Sequence, residues 1–216
     1  MNIIMIIGAI FLIAGALYSV EFLNHGIHLK IFKNLKAAGF LKIDPLDGAA
    51  IAPVYTKIRP KYSPSEYVEY DYAKVFKEIL MQRTPIGHCY AFMWLGVKAY
   101  SSSIHILLDP KVPEFIITKN RQRTDNLSDL STVVLNDKTG QVLKINSALA
   151  KDNLQYIDEF VLLVRRLFKK RIKITLFKNV LTISQINLLG KTGHTEILEF
   201  IRLACAVLLP TNGNFA

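Results

Sequence analysis

From Ile3 to Val20 the chain carries eighteen consecutive uncharged and mostly apolar residues, and Glu21 alone separates them from Phe22 and Leu23. As a helix at 1.5 Å per residue this stretch is roughly 30 Å long, about one hydrocarbon core. The reading it implies is a transmembrane anchor over residues 1–23. A cleaved secretory leader is the competing reading, with Ala14-Gly15-Ala16 as a small-residue site. Such leaders carry a basic first segment, and here no Lys or Arg precedes Lys30. Gly8, Gly15 and Ala16 would allow close helix approach, but the run contains no GxxxG.

Charge on either side of the run sets the expected orientation, because Lys and Arg near a span stay on the cytoplasmic side. Residues 24–43 hold Lys30, Lys33, Lys36 and Lys42 and no acid. The sequence therefore predicts a single-pass inner-membrane protein with its N-terminus outside and its body in the cytoplasm. In the same segment Ile27, Ile31, Leu35 and Ala38 recur at helical spacing. A basic amphipathic helix results, suited either to the headgroup layer beside the anchor or to packing on the body.

Asp44-Pro45-Leu46-Asp47-Gly48 concentrates turn formers and marks the expected start of the body, residues 44–209, with a flexible tail at 210–216. Ser63-Pro64-Ser65-Glu66 has the form of a helix cap, but Val68, Tyr70 and Tyr72 alternate with Glu69 and Asp71 and favour a strand. Residues 88–98 are apolar at both alternating sets of positions, which predicts a central strand covered on two faces. Short strands follow at 104–108, 115–118, 132–135 and 141–145, close enough for antiparallel hairpins.

Leu154, Ile157, Phe160, Val161, Val164, Leu167 and Phe168 predict a helix over 153–168, with Asp152 and Gln155 as its start signal. The period then becomes two. Lys178-Asn179 form a two-residue turn that pairs Phe177 with Val180 and puts Ile174, Leu176, Leu181 and Ile183 on one face. A last helix over 195–209 contains Glu199 and Arg202 and reads as a core helix, too short and too charged to span. The fold class expected is α+β: one transmembrane helix, then an antiparallel-sheet domain with two or three helices.

No motif for chemistry completes itself. Gly190-Lys191-Thr192 resembles the end of a phosphate-binding loop, but Gln185 stands where its first glycine is required. His88 and Cys89 are neighbours on a strand and point to opposite faces, so a Cys/His site would need a partner such as His105 from another strand. Cys205 sits in an apolar helix. The two cysteines provide no disulfide framework, and the five histidines show no zinc-binding spacing; His25 and His28 alone share a helix face. Glu69 and Asp71, near Glu66, would share a strand face where a carboxylate pair could act. No catalytic residue, cofactor or metal is assigned.

Charge is the informative anomaly. Among 27 basic and 17 acidic residues, Arg165, Arg166, Lys169, Lys170, Arg171 and Lys173 lie within nine positions without an acid. With the four lysines after the apolar run they equal the net charge of +10. The basic residues Lys30, Lys33, Lys36, Arg165, Arg166, Lys169, Lys170, Arg171 and Lys173 are the candidate lipid- or partner-binding set. Beside an anchor, anionic headgroups of the bilayer or a protein partner are favoured over nucleic acid. The order of elements, with Asp109, Pro113 and Phe115 leading into a strand, resembles bacterial single-pass membrane proteins of uncharacterised function. That resemblance implies no catalytic residue. The function expected is a membrane-anchored, non-enzymatic interaction or assembly domain; a tethered enzyme with a Cys/His site is the alternative.

Overall fold

A computed structural model describes residues 9–10, 12–13, 25–44, 46–58, 75–95, 101–112, 115–118, 130–136, 140–177 and 179–209. Helix α1 covers 25–37, followed by β1 (Leu41–Ile43), α2 (Gly48–Ile58), β2 (Phe76–Thr84), β3 (Gly87–Trp94) and β4 (Ser101–Leu108). Next come β5 (Ile116–Thr118), β6 (Leu130–Asn136), β7 (Gln141–Asn146), α3 (Ser147–Asp152) and α4 (Leu154–Lys169). The hairpin β8 (Lys173–Phe177) and β9 (Val180–Ser184), a 3-10 turn at Ile186–Thr192 and α5 (Gly193–Leu208) complete the order.

Six strands form one antiparallel sheet in the order β1-β2-β3-β4-β9-β8, and β5-β7-β6 form a smaller one. Because strand side chains alternate, β2, β3, β4 and β9 feed two cores, one on each face of the large sheet, while the edge strands β1 and β8 each feed one. Cys89, Ala91, Met93, Ile104, Ile106, Leu181, Ile183 and Ile174 meet α1, α4 and α5. Tyr90, Phe92 and Val180, with Phe76 and Ile79, meet Ile51, Val54 and Tyr55 of α2. β3 is thus central and buried on both faces, as its unbroken apolar run requires. The hairpin register is also as expected, with Phe177 opposite Val180, Leu176 opposite Leu181 and Ile174 opposite Ile183.

The expected transmembrane helix is corrected, and with it the single-pass, inner-membrane placement. Among the described residues no helix is long and apolar enough to cross a membrane. Of residues 1–23 only 9–10 and 12–13 are described, as helical. The neighbouring α1 directs Ile31, Phe32 and Leu35 into the protein core and leaves Lys30 and Lys33 outside. Its apolar stripe therefore packs on the sheet. The strand expected around 67–75, together with Glu66, Glu69 and Asp71, lies outside the described residues except for Val75, which is in a turn; so does the tail at 210–216.

Helix ends show how local chemistry shapes the fold. At the end of α1, Gly39 takes φ 97° while Phe40 N–H donates to Leu35 O at 3.1 Å and Gly39 N–H to Lys36 O at 3.1 Å. α4 ends in the same paired motif, with Ile172 N–H on Leu167 O at 3.1 Å and Arg171 N–H on Phe168 O at 2.9 Å. There the left-handed position is held by Arg171, at φ 63°, rather than by glycine. The start of α4 differs from expectation too. Asn153, not Asp152, occupies the cap position and makes no side-chain cap; its buried amide donates to Leu209 O at 3.2 Å and ties α4 to the end of α5.

A candidate binding surface at the end of the helix layer

α4 and α5 run antiparallel, because Glu159 of α4 meets Arg202 of α5 at 3.3 Å while Arg166, further along α4, and Lys170, just past its end, meet Glu196 in the first turn of α5. α1 also reaches that turn. Asn34 Nδ2 is 3.1 Å from His194 Nδ1, and a Cβ placed on Gly193 would sit 3.2 Å from Ile31. His194 is accordingly half-buried. α5 thus contacts both α4 and α1 at its first turn.

Cations from three separated segments adjoin these contacts in sequence. Lys30 and Lys33 project from α1, Lys169, Arg171 and Lys173 from the α4–β8 connection, and Lys191 from the 3-10 turn before α5. All six are exposed, and none has an ion-pair or hydrogen-bond partner among the described residues. Other members of the expected set are engaged. Lys36 Nζ donates to Glu78 Oε1 at 2.8 Å, Arg165 donates to Val134 O at 3.3 Å, Arg166 donates to Glu199 Oε2 at 2.9 Å, and Lys170 donates to Glu196 Oε1 at 2.8 Å.

Sequence reasoning thus overcounted the free charge of the α4 segment, because the acids that neutralise it lie about thirty residues further on. It also left out Lys191, which belongs to the surface by position although it completes no nucleotide motif. The signal that could have found the pairing is Glu196 and Glu199 at i, i+3 on a helix antiparallel to α4.

The candidate catalytic groups are not assembled. Opposite Cys89 in the sheet stands Ile106, whereas His105 stands opposite Tyr90, so Cys89 and His105 face different cores. Burial pushes the Cys89 thiol well above its ordinary range, and the charge of Cys205 adds to that effect. A thiolate nucleophile is therefore scarce. Burial also raises the Cys205 thiol, against hydrogen bonds from the Ile86 backbone and the Thr84 side chain that lower it. His28 is fully buried and shares a 2.6 Å hydrogen bond with Ser102 Oγ. Among the described residues no group of three or more His, Cys, Asp or Glu side chains could hold a metal ion.

Sequence reasoning did not foresee a buried polar seam. Trp94 Nε1 donates to Ser103 Oγ at 2.9 Å, Ser103 Oγ lies 2.7 Å from His105 Nε2, and His105 Nδ1 lies 2.9 Å from Thr182 Oγ1. A Ser103 hydroxyl donating to Nε2 and an Nδ1–H donating to Thr182 would satisfy each of these groups in turn. The outline is that of a nucleophile, a base and an orienting group, but the chemistry fails. Burial lowers the His105 pKa to about 3, and a neutral threonine stands where a carboxylate would stabilise an imidazolium. The seam is a structural element joining β3, β4 and β9.

No known protein family, characterised protein or solved structure matches the chain. The fold and its surface define an α+β protein with three helices on one face of a six-stranded antiparallel sheet and a cationic end to that helix layer.

Proposed function

We propose that this chain is a non-enzymatic interaction domain that binds an acidic protein surface through the cationic end of its helix layer. The observation that carries the reading is that Lys30, Lys33, Lys169, Arg171, Lys173 and Lys191, in three segments adjoining the contacts that join α1 and α4 to the start of α5, are all exposed and without a partner among the described residues. Arg171 adds support. A side chain in the left-handed region costs about 1 kcal/mol that glycine would avoid, yet the position holds a cation. Five of the six are lysines, which act as mobile point charges and favour steering and charge matching over fixed two-pronged recognition.

The surroundings favour a protein over other polyanions. Among the described residues no exposed large hydrophobic is aromatic, whereas single-stranded nucleic acid is held by base stacking on aromatic rings and lipid interfaces by Trp and Tyr anchors. Leu29 and Leu188 are exposed beside Lys30 and near Lys191 and offer small apolar contacts within the charged field.

The test uses the full chain and fluorescent poly-L-glutamate, followed by anisotropy at low and high salt. Binding should weaken as salt rises, and the combined Lys169→Gln, Arg171→Gln and Lys173→Gln variant should lose at least about tenfold in affinity, roughly 0.5 kcal/mol per cation. Absence of binding, or an unchanged variant, overturns the proposal. Stronger binding to vesicles containing phosphatidylserine, or to duplex DNA, replaces the acidic protein by that class of partner.

A further inference from the structure

Glu196 occupies an unusual place beside this surface. Its side chain is 13% exposed, and its Oε1 meets both Lys170 Nζ at 2.8 Å and Arg166 Nε at 3.3 Å. Arg166 and Lys170 themselves are half- and two-fifths exposed, at 50% and 39%, so both cations reach the surface while their charge is met from below. Glu199 holds the remaining side of the Arg166 guanidinium at 2.9 Å. Without these two acids the α4–β8 segment would offer Arg166 and Lys170 together with Lys169, Arg171 and Lys173.

We infer that Glu196 sets the affinity of the surface, acting as an internal competitor that keeps Arg166 and Lys170 from an incoming anion. The inference rests on the reading of this end of the helix layer as the binding surface. Its physical basis is exchange: a partner carboxylate gains from Arg166 or Lys170 only by displacing one that is already in place, close and largely shielded from water. Each exposed pair has a modest free energy, so the exchange is nearly balanced and the competitor tunes the affinity rather than abolishing it. Its position in the first turn of α5 also suits an acid, since the helix dipole favours negative charge there. The competing carboxylate is thereby favoured in place in the unbound protein. Glu196 is a positioning residue for two cations and touches no ligand itself.

The experiment compares the full-length protein with Glu196→Gln, Glu159→Gln and the double variant Arg166→Gln/Glu196→Gln, again with fluorescent poly-L-glutamate across a salt series. Glu159→Gln removes the same charge but frees Arg202, towards the opposite end of the α4–α5 pair. If Glu196 is the competitor, Glu196→Gln tightens binding by about two- to fivefold, since it frees Lys170 and one side of Arg166 while Glu199 still holds the other, and its affinity falls more steeply with salt. Glu159→Gln shifts affinity much less, and Arg166→Gln cancels part of the gain, which a purely structural role of Glu196 would not produce. Equal tightening by Glu196→Gln and Glu159→Gln overturns the competitor role while leaving the surface in place. Failure of the unmodified protein and all variants to bind overturns both.

Discussion

His105 links the stability of the smaller core to pH. Its ring is 2% exposed, 5.2 Å from the Phe92 ring and hydrogen-bonded to Ser103 and Thr182, with burial lowering its pKa from 6.5 to about 3. Lowering the pH is the perturbation. The unfolded chain takes up this proton near pH 6.5 and the folded chain only near 3, so the unfolded state binds more protons throughout that window. Stability from this group is complete above 6.5, declines as pH falls, and has been lost below about 3. The linkage relation gives a loss of about 2 kcal/mol between pH 7.5 and 5, and about 3 kcal/mol by pH 4. Urea titrations at pH 7.5 and 5 measure the loss, and the same pair on a His105→Asn variant isolates it, because the variant should lack about 2 kcal/mol of the dependence. Following the imidazole by NMR supplies a check that needs no variant: its resonances should stay flat from pH 7.5 to 4. An inflection near 6.5, or an unchanged pH dependence in His105→Asn, would refute the reasoning.

Two further outcomes follow from strain and burial. Arg171→Gly should stabilise the fold by about 1 kcal/mol in thermal or urea unfolding, since glycine enters the left-handed region without a Cβ penalty, while weakening poly-L-glutamate binding; a destabilised variant would show that the arginine is needed to end α4. Cys89 should resist iodoacetamide in the native protein and react once urea unfolds it, as mapped by mass spectrometry of the peptides. Its stoichiometric modification within minutes under native conditions would restore the nucleophile reading.

The parts of this fold that were legible in the sequence are those where one periodicity runs unbroken. The β8–β9 register and most of the core face of α4 belong here, because a buried stripe opposite a wet one leaves one arrangement, although Leu154 of the expected stripe is exposed and Leu163, outside it, is buried. β2 escaped notice for the opposite reason. Its register shifts between Phe76 and Glu78, and Ile79, Leu80 and Met81 then serve both cores, so no alternation survives. α2 was missed as well, since Pro53 lies inside it and Gly48 opens it, both marks of turns rather than helices. The apolar run at the N-terminus illustrates the limit of composition: hydrophobicity and length suggested a span, while the adjoining stripe of Ile31 and Leu35 is used for packing on the sheet. As for the surface, local sequence revealed where cations are dense but not which ones are neutralised. That depends on α5 returning antiparallel to α4, and no window around residues 165–173 contains Glu196.

The large sheet is a partition between two unequal hydrophobic compartments, and this division gives the molecule an internal reporter. Trp94 is the only tryptophan in the chain, and its ring packs against Phe76 at 4.5 Å and Tyr55 at 6.0 Å in the compartment under α2. Its emission therefore reports on the smaller compartment alone. Far-UV circular dichroism, by contrast, draws more on α1, α4 and α5 on the opposite side than on α2. Coincident fluorescence and dichroism transitions would mean that the sheet transmits cooperativity through its thickness. An earlier fluorescence transition would resolve the protein into two units, with α2 lifting away while the helix layer and its cationic end remain assembled.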